Sequence, residues 1–111
     1  MSDFNELAER AWRVRRLYAE LETRNHGRAW TREEVALGFV GDVGDLAKLV
    51  QAMEGVRAIP EARTKLAHEL ADCLWSVMTL ARLYDVDLKA AFETTMDELE
   101  RGIEARLGAG P

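Results

Sequence analysis

Cysteine is nearly absent. Cys73 is the single one in the chain, which excludes an internal disulfide, and its apolar surroundings assign it a packing role. Long apolar runs are missing too: none approaches the roughly 18 residues needed to cross a bilayer. The opening Met1-Ser2-Asp3-Phe4-Asn5-Glu6 lacks a basic segment followed by an apolar one, so a cytoplasmic location is expected. Positive charge is in deficit, with 15 Lys and Arg against 20 Asp and Glu and a net charge of -5. That balance works against binding a nucleic acid polymer or a membrane surface, and an anionic substrate would need a cation as intermediary. There are two histidines, His26 and His68, and neither follows a glutamate at three residues, which removes the Glu-x-x-His pattern of di-iron carboxylate bundles. Both histidines are expected to be solvated or capping.

A chain of 111 residues is too short for a second catalytic domain, so residues 1–111 are read as one. With 48% hydrophobic and 32% charged residues and only two prolines, the composition is that of a folded domain. Neither strand alternation nor an internal repeat is present. What is present is helical periodicity, in four segments. Phe4, Leu7, Ala11, Val14, Tyr18 and Leu21 recur at three and four residues, until Thr23-Arg24-Asn25-His26-Gly27 breaks the pattern. Thr31 and Glu34 form a capping box ahead of Val35, Phe39, Val43, Leu46, Val50 and Met53, and Gly55 offers a stop. Pro60 suits the first turn of a third helix running through Leu66, Leu70, Cys73, Val77, Leu80 and Tyr84, the most buried in character. Asp87 can cap the fourth, with Leu88, Phe92, Met96, Leu99, Ile103 and Leu107 on its apolar side. The fold predicted is an all-α, four-helix bundle-like domain. Four such helices make a thin core, so a homodimer or homotetramer is expected.

Acidic residues three apart are common here by chance, as in Asp3/Glu6 and Asp97/Glu100. The informative pairs are those turned toward the apolar side, where a charge is costly unless compensated. At about 100° per residue, Asp42 lies inside the apolar arc of the second helix and Asp45 at its edge. Glu69 and Asp72 share a narrow polar stripe on the third helix with Ser76 and Thr79. Two inward pairs would put four carboxylates around one cleft, and hard oxygen ligands select Mg²⁺, with Mn²⁺ as the alternative. The competing reading pairs these acids with Lys48, Lys65 or Arg101 in salt bridges. Gly38, Gly41 and Gly44, each about 1 kcal/mol worse than alanine in a helix, predict a close approach, by a packed helix or by a substrate, with the helix the commoner case because no phosphate-cradling loop is present.

The segments Gly41-Asp42-Val43-Gly44-Asp45-Leu46-Ala47 and Glu69-Leu70-Ala71-Asp72 resemble the MazG-like all-α NTP pyrophosphohydrolases, whose signature is Glu-x-x-Glu followed by Glu-x-x-Asp. Leu37 to Gln51 looks closest to the branch containing dCTP pyrophosphatases, and the resemblance spans roughly residues 30 to 103. It implies Mg²⁺-dependent hydrolysis of a nucleoside triphosphate to monophosphate and pyrophosphate by a dimer or tetramer. Asp42, Asp45, Glu69 and Asp72 would be both metal ligands and catalytic residues. Both glutamates of the first motif are aspartates here, each shorter by roughly 1.5 Å. The lysine and asparagine usual in the family's last helix are matched by Thr95 and Leu99, which leaves Arg101 as the candidate phosphate contact. Trp30 and Trp75 are candidates for stacking on a base, against core packing as the commoner use. Two other functions remain open on the sequence: a metal- or nucleotide-binding module without turnover, and a structural helical oligomer.

Overall fold

The computed structural model describes residues 3–109, which form four α-helices and no strand: α1 (Phe4–His26), α2 (Arg32–Met53), α3 (Ala62–Leu83) and α4 (Leu88–Gly108). Local chemistry accounts for most boundaries. The Asp3 carboxylate accepts the Glu6 N–H at 2.8 Å, starting α1. The expected break at Thr23 does not occur, and α1 runs on to His26. There the Thr23 hydroxyl donates back to the Ala19 carbonyl at 2.8 Å, and the turn is delayed to Gly27, whose φ of 81° only glycine adopts freely. The Thr31/Glu34 capping box forms in both directions, at 3.0 and 3.2 Å, and Arg28 clamps the same Glu34 carboxylate. Asp87 caps α4 by accepting from the Ala90 N–H at 3.1 Å. Pro60 does not sit in the first turn of α3, which begins two residues later behind Glu61 in left-handed conformation (φ 54°).

Helices α2 and α3 pack as an antiparallel hairpin: Asp45 and Leu49 line one cleft with His68 and Lys65, and Gly38 and Val35 line another with Ser76 and Trp75. Helix α1 packs on α3, where the Trp75 indole N–H donates to the Ala11 carbonyl at 3.0 Å. The apolar residues that become fully buried are few: Ala11, Val35, Leu49 and Met78. The third helix buries Ser76, Met78 and Thr79, yet its other apolar side is open, with Leu70 and Leu74 about half exposed. Helix α4 buries nothing. The radius of gyration, 17.9 Å, exceeds the about 13 Å of a compact domain of this length, because α4 stands away from the hairpin.

Candidate metal centre and flanking clefts

The polar stripe of α3 meets α2 at mid-helix. Asp42, Glu69 and Asp72 each bring a carboxylate oxygen to within 4.8 Å of the other two. Two oxygens on one octahedral Mg²⁺ with bonds of about 2.1 Å lie about 3.0 Å apart at neighbouring positions and about 4.2 Å at opposite ones, so the three carboxylates would draw together to share an ion. The buried Glu69 Oε2 has no hydrogen-bond partner. Burial pushes the Glu69 carboxyl up, and the charges of Asp72, Asp42 and Asp45 add to it. Asp42 is raised in the same way, by burial first and then by Asp72 and Asp45. An all-carboxylate donor set with an orphaned oxygen and mutual repulsion fits a hard divalent cation. Asp45 stands outside the three-oxygen group, near enough to raise both neighbours.

The salt bridges that would compete with this reading do not form. Among the described residues the ion pairs are Arg15–Glu22, Arg28–Glu34, His68–Asp72 and Arg82–Glu9. Lys48, Lys65 and Arg101 take no part, and the one basic side chain in contact with these acids is the exposed His68, whose Nε2 lies 3.2 Å from Asp72. His68 is solvated, as expected, with its side chain 73% exposed. Cys73, one helical step from Asp72, is partly buried, and burial pushes its thiol up, which keeps it protonated and inert.

The acids separate two clefts. On one side, an open cleft of about 310 Å³ lies between α1, α2 and α3 and is lined by Tyr18, Trp30, Phe39 and Trp75 together with Asp42 and Asp72. Tyr18 and Trp75 meet edge to face with ring centroids 5.7 Å apart. Trp30 is 46% exposed, so it is not core, and its ring lies 3.1 Å from where a Cβ on Gly38 would stand. The close approach expected along the glycine row occurs there alone, and it is made by an indole, not by a helix; nothing approaches Gly41 or Gly44. On the other side a cleft of about 450 Å³ is lined by Asp45, Lys48, Thr64, Lys65, His68 and Glu69. Arg101 reaches neither cleft; its Nε donates to the Asp97 carbonyl of its own helix at 3.3 Å.

Sequence reasoning missed the anchor of the aromatic cleft. Arg15, 5% exposed, makes a bidentate pair with Glu22 at 2.9 and 3.0 Å, and the same carboxylate accepts the Trp30 N–H at 2.8 Å. The signal was available: both charges fall on the α1 face that carries Ala11 and Tyr18.

A model of the MazG nucleotide pyrophosphohydrolase domain matches residues 30–104, a span that takes in α2, α3, both acidic motifs and most of α4. The chain belongs to the MazG family. The dCTP pyrophosphatase 1 proteins of Rattus norvegicus and Mus musculus are each 32% identical to this MazG chain over 106 residues, covering 87% of it and 61% of their own length. The chain therefore spans under two thirds of the curated relatives it matches. No solved structure gives a significant match. The MazG assignment accords with an all-helical chain and with carboxylates gathered between α2 and α3. No helix among the described residues is long and apolar enough to cross a membrane.

Proposed function

We propose that this chain hydrolyses a nucleoside triphosphate, or a modified nucleotide, to the monophosphate and pyrophosphate, with Mg²⁺ or Mn²⁺ held by Asp42, Glu69 and Asp72. The observation that carries the reading is the convergence of three carboxylates within 4.8 Å around an orphaned buried oxygen. A divalent cation there supplies charge neutralisation to the phosphates and acidity to the attacking water. The chain's own residues do the rest. Trp30, Tyr18 and Trp75 form the walls against which a base stacks, and Gly38 leaves room for the Trp30 ring beside α2. Asp45, the carboxylate outside the three-oxygen group, is free to take the proton of the water as it attacks the α-phosphorus, while the bond to the bridging oxygen breaks and pyrophosphate leaves. The curated relatives are dCTP pyrophosphatases, so dCTP is the first substrate to try. Pyrophosphate release should appear from at least one nucleotide of a broad panel with Mg²⁺ or Mn²⁺, and vanish with chelator. Silence across the panel with both metals would sink the reading. Saturable nucleotide binding without release would identify a binding module instead.

We further propose that the working unit is a homo-oligomer, dimer or tetramer, located in the cytoplasm. Its surface supports the assembly: 8656 Å² is exposed, against about 6,200 Å² for a monomer of 12.5 kDa. The excess has the scale of an obligate interface. Much of it is apolar and unpartnered, including Phe92, Leu99, Ile103 and Leu107 on α4 and Leu70 and Leu74 on α3. A second copy covers these faces in this reading. Light scattering should give a mass of two or four chains, and Leu99→Glu with Ile103→Glu should lower it. A wild-type protein that stays monomeric at high concentration would overturn the proposal.

A further inference from the structure

We infer that Lys48 and Lys65 form the binding site for the β- and γ-phosphates of the substrate, a task that Arg101 of the same chain does not perform. The inference rests on the hydrolase reading above and adds the direction in which the nucleotide lies. Both lysines line the cleft of about 450 Å³ on the far side of the acids from the aromatic cleft. Glu69 faces this cleft, while Asp42 and Asp72 face the aromatic one, and the three meet within 4.8 Å. A nucleotide with its base beside Trp30 and its α-phosphate at the acids must therefore run its remaining phosphates into the lysine cleft.

Ordinary surface pairing is the competing explanation for lysines at these positions. Lys48 follows Asp45 by three residues and Lys65 precedes Glu69 by four, the spacings at which helix ion pairs form. Neither pair forms here, nor does either lysine pair with any other acid among the described residues. His68, the third basic side chain of the cleft, is already engaged by Asp72 at 3.2 Å. Two uncommitted ammonium groups thus border a cluster of acids that would otherwise repel a triphosphate. They also offer compact point charges, suited to phosphate oxygens. Arg101 lies on α4, which buries nothing against the hairpin, and its Nε is held by the Asp97 carbonyl of its own helix.

The test is titration calorimetry of the full chain with pyrophosphate in saturating Mg²⁺, the product that would occupy the cleft. Lys48→Gln with Lys65→Gln should weaken pyrophosphate binding about tenfold or more, as expected for losing two charge-assisted contacts. Lys48→Arg with Lys65→Arg should restore most of it, and Arg101→Gln should change it less than about twofold. Binding of Mn²⁺ alone should be unchanged in every variant, which separates a phosphate role from damage to the acids. Unaltered pyrophosphate binding in the double glutamine variant overturns the inference, as does no binding by wild type or a loss confined to Arg101→Gln. The two readings fail separately. Lysine-dependent pyrophosphate binding without hydrolysis of any nucleotide leaves the cleft assignment standing and removes the enzyme, whereas turnover insensitive to both lysines does the reverse.

Discussion

Glu69→Gln is expected to reduce metal-dependent pyrophosphate release on the order of 10²- to 10³-fold while leaving the metal-free protein at least as stable as wild type. The first effect follows from losing one of three oxygens that converge within 4.8 Å and so weakening the hold on an ion whose charge stabilisation is worth roughly several kcal/mol in the transition state. The second follows from repulsion. Burial and neighbouring acids raise Asp42 and Glu69 in the folded chain, so their contribution to stability is complete below the ordinary values of 3.8 and 4.5 and is lost as pH rises through the raised ones. An amide at position 69 removes one of the charges concerned and shrinks that dependence. Calorimetry of metal-free protein across mildly acidic to neutral pH, repeated with Mn²⁺, reads both. Wild type should gain stability from the ion, and the variant should gain little. If the variant instead loses about 3 to 5 kcal/mol without metal, the carboxylate was paired with a cation and the metal-site assignment fails. Asp72 is the less clean probe, because its contact with His68 mixes the two effects.

The same residues show how far sequence reasoning reaches. A helical wheel turns Asp42 into the apolar arc and puts Glu69 and Asp72 on one stripe, and those three are the acids that the fold brings together. Asp45 has the same three-residue offset from Asp42 yet stays outside. Three residues advance a helix by about 4.5 Å, and an aspartate lacks the methylene, roughly 1.5 Å of reach, with which a glutamate could return. Caps were legible because they are local: Thr31, Glu34 and Asp87 act within three residues of their targets. The walls of the two clefts were not. Trp30 against Gly38, Trp75 against Ala11 and the opposition of Lys48 to Lys65 depend on the register of one helix on another, which periodicity leaves free. Nor does a wheel reveal that α4, as amphipathic as its neighbours, buries nothing within its own chain.

Glu22→Ala should cost about 3 to 5 kcal/mol of stability, a fall in midpoint of roughly 12 °C or more, and should weaken nucleotide binding in the same variant. The Arg15 and Glu22 side chains are 6% and 13% exposed, so removing the carboxylate leaves a largely buried guanidinium with only the Trp30 carbonyl, at 3.5 Å, as acceptor. It also removes the acceptor of the Trp30 N–H, freeing the turn between α1 and α2 that holds the indole over Gly38. One substitution remote from the acids should therefore disturb the aromatic cleft while leaving Mn²⁺ affinity near that of wild type. The pH dependence has the opposite sign to that of the acid cluster. Hydrogen bonding from Arg15 lowers the Glu22 carboxyl, outweighing its burial, so its stabilisation is present above the ordinary 4.5 and is lost as pH falls through the lowered value. Denaturant titrations of wild type and variant should converge in acid and diverge toward neutrality. A variant as stable as wild type at neutral pH would mean that the pair makes no net contribution there. Unchanged nucleotide affinity in a destabilised variant would show that Trp30 does not contact the base.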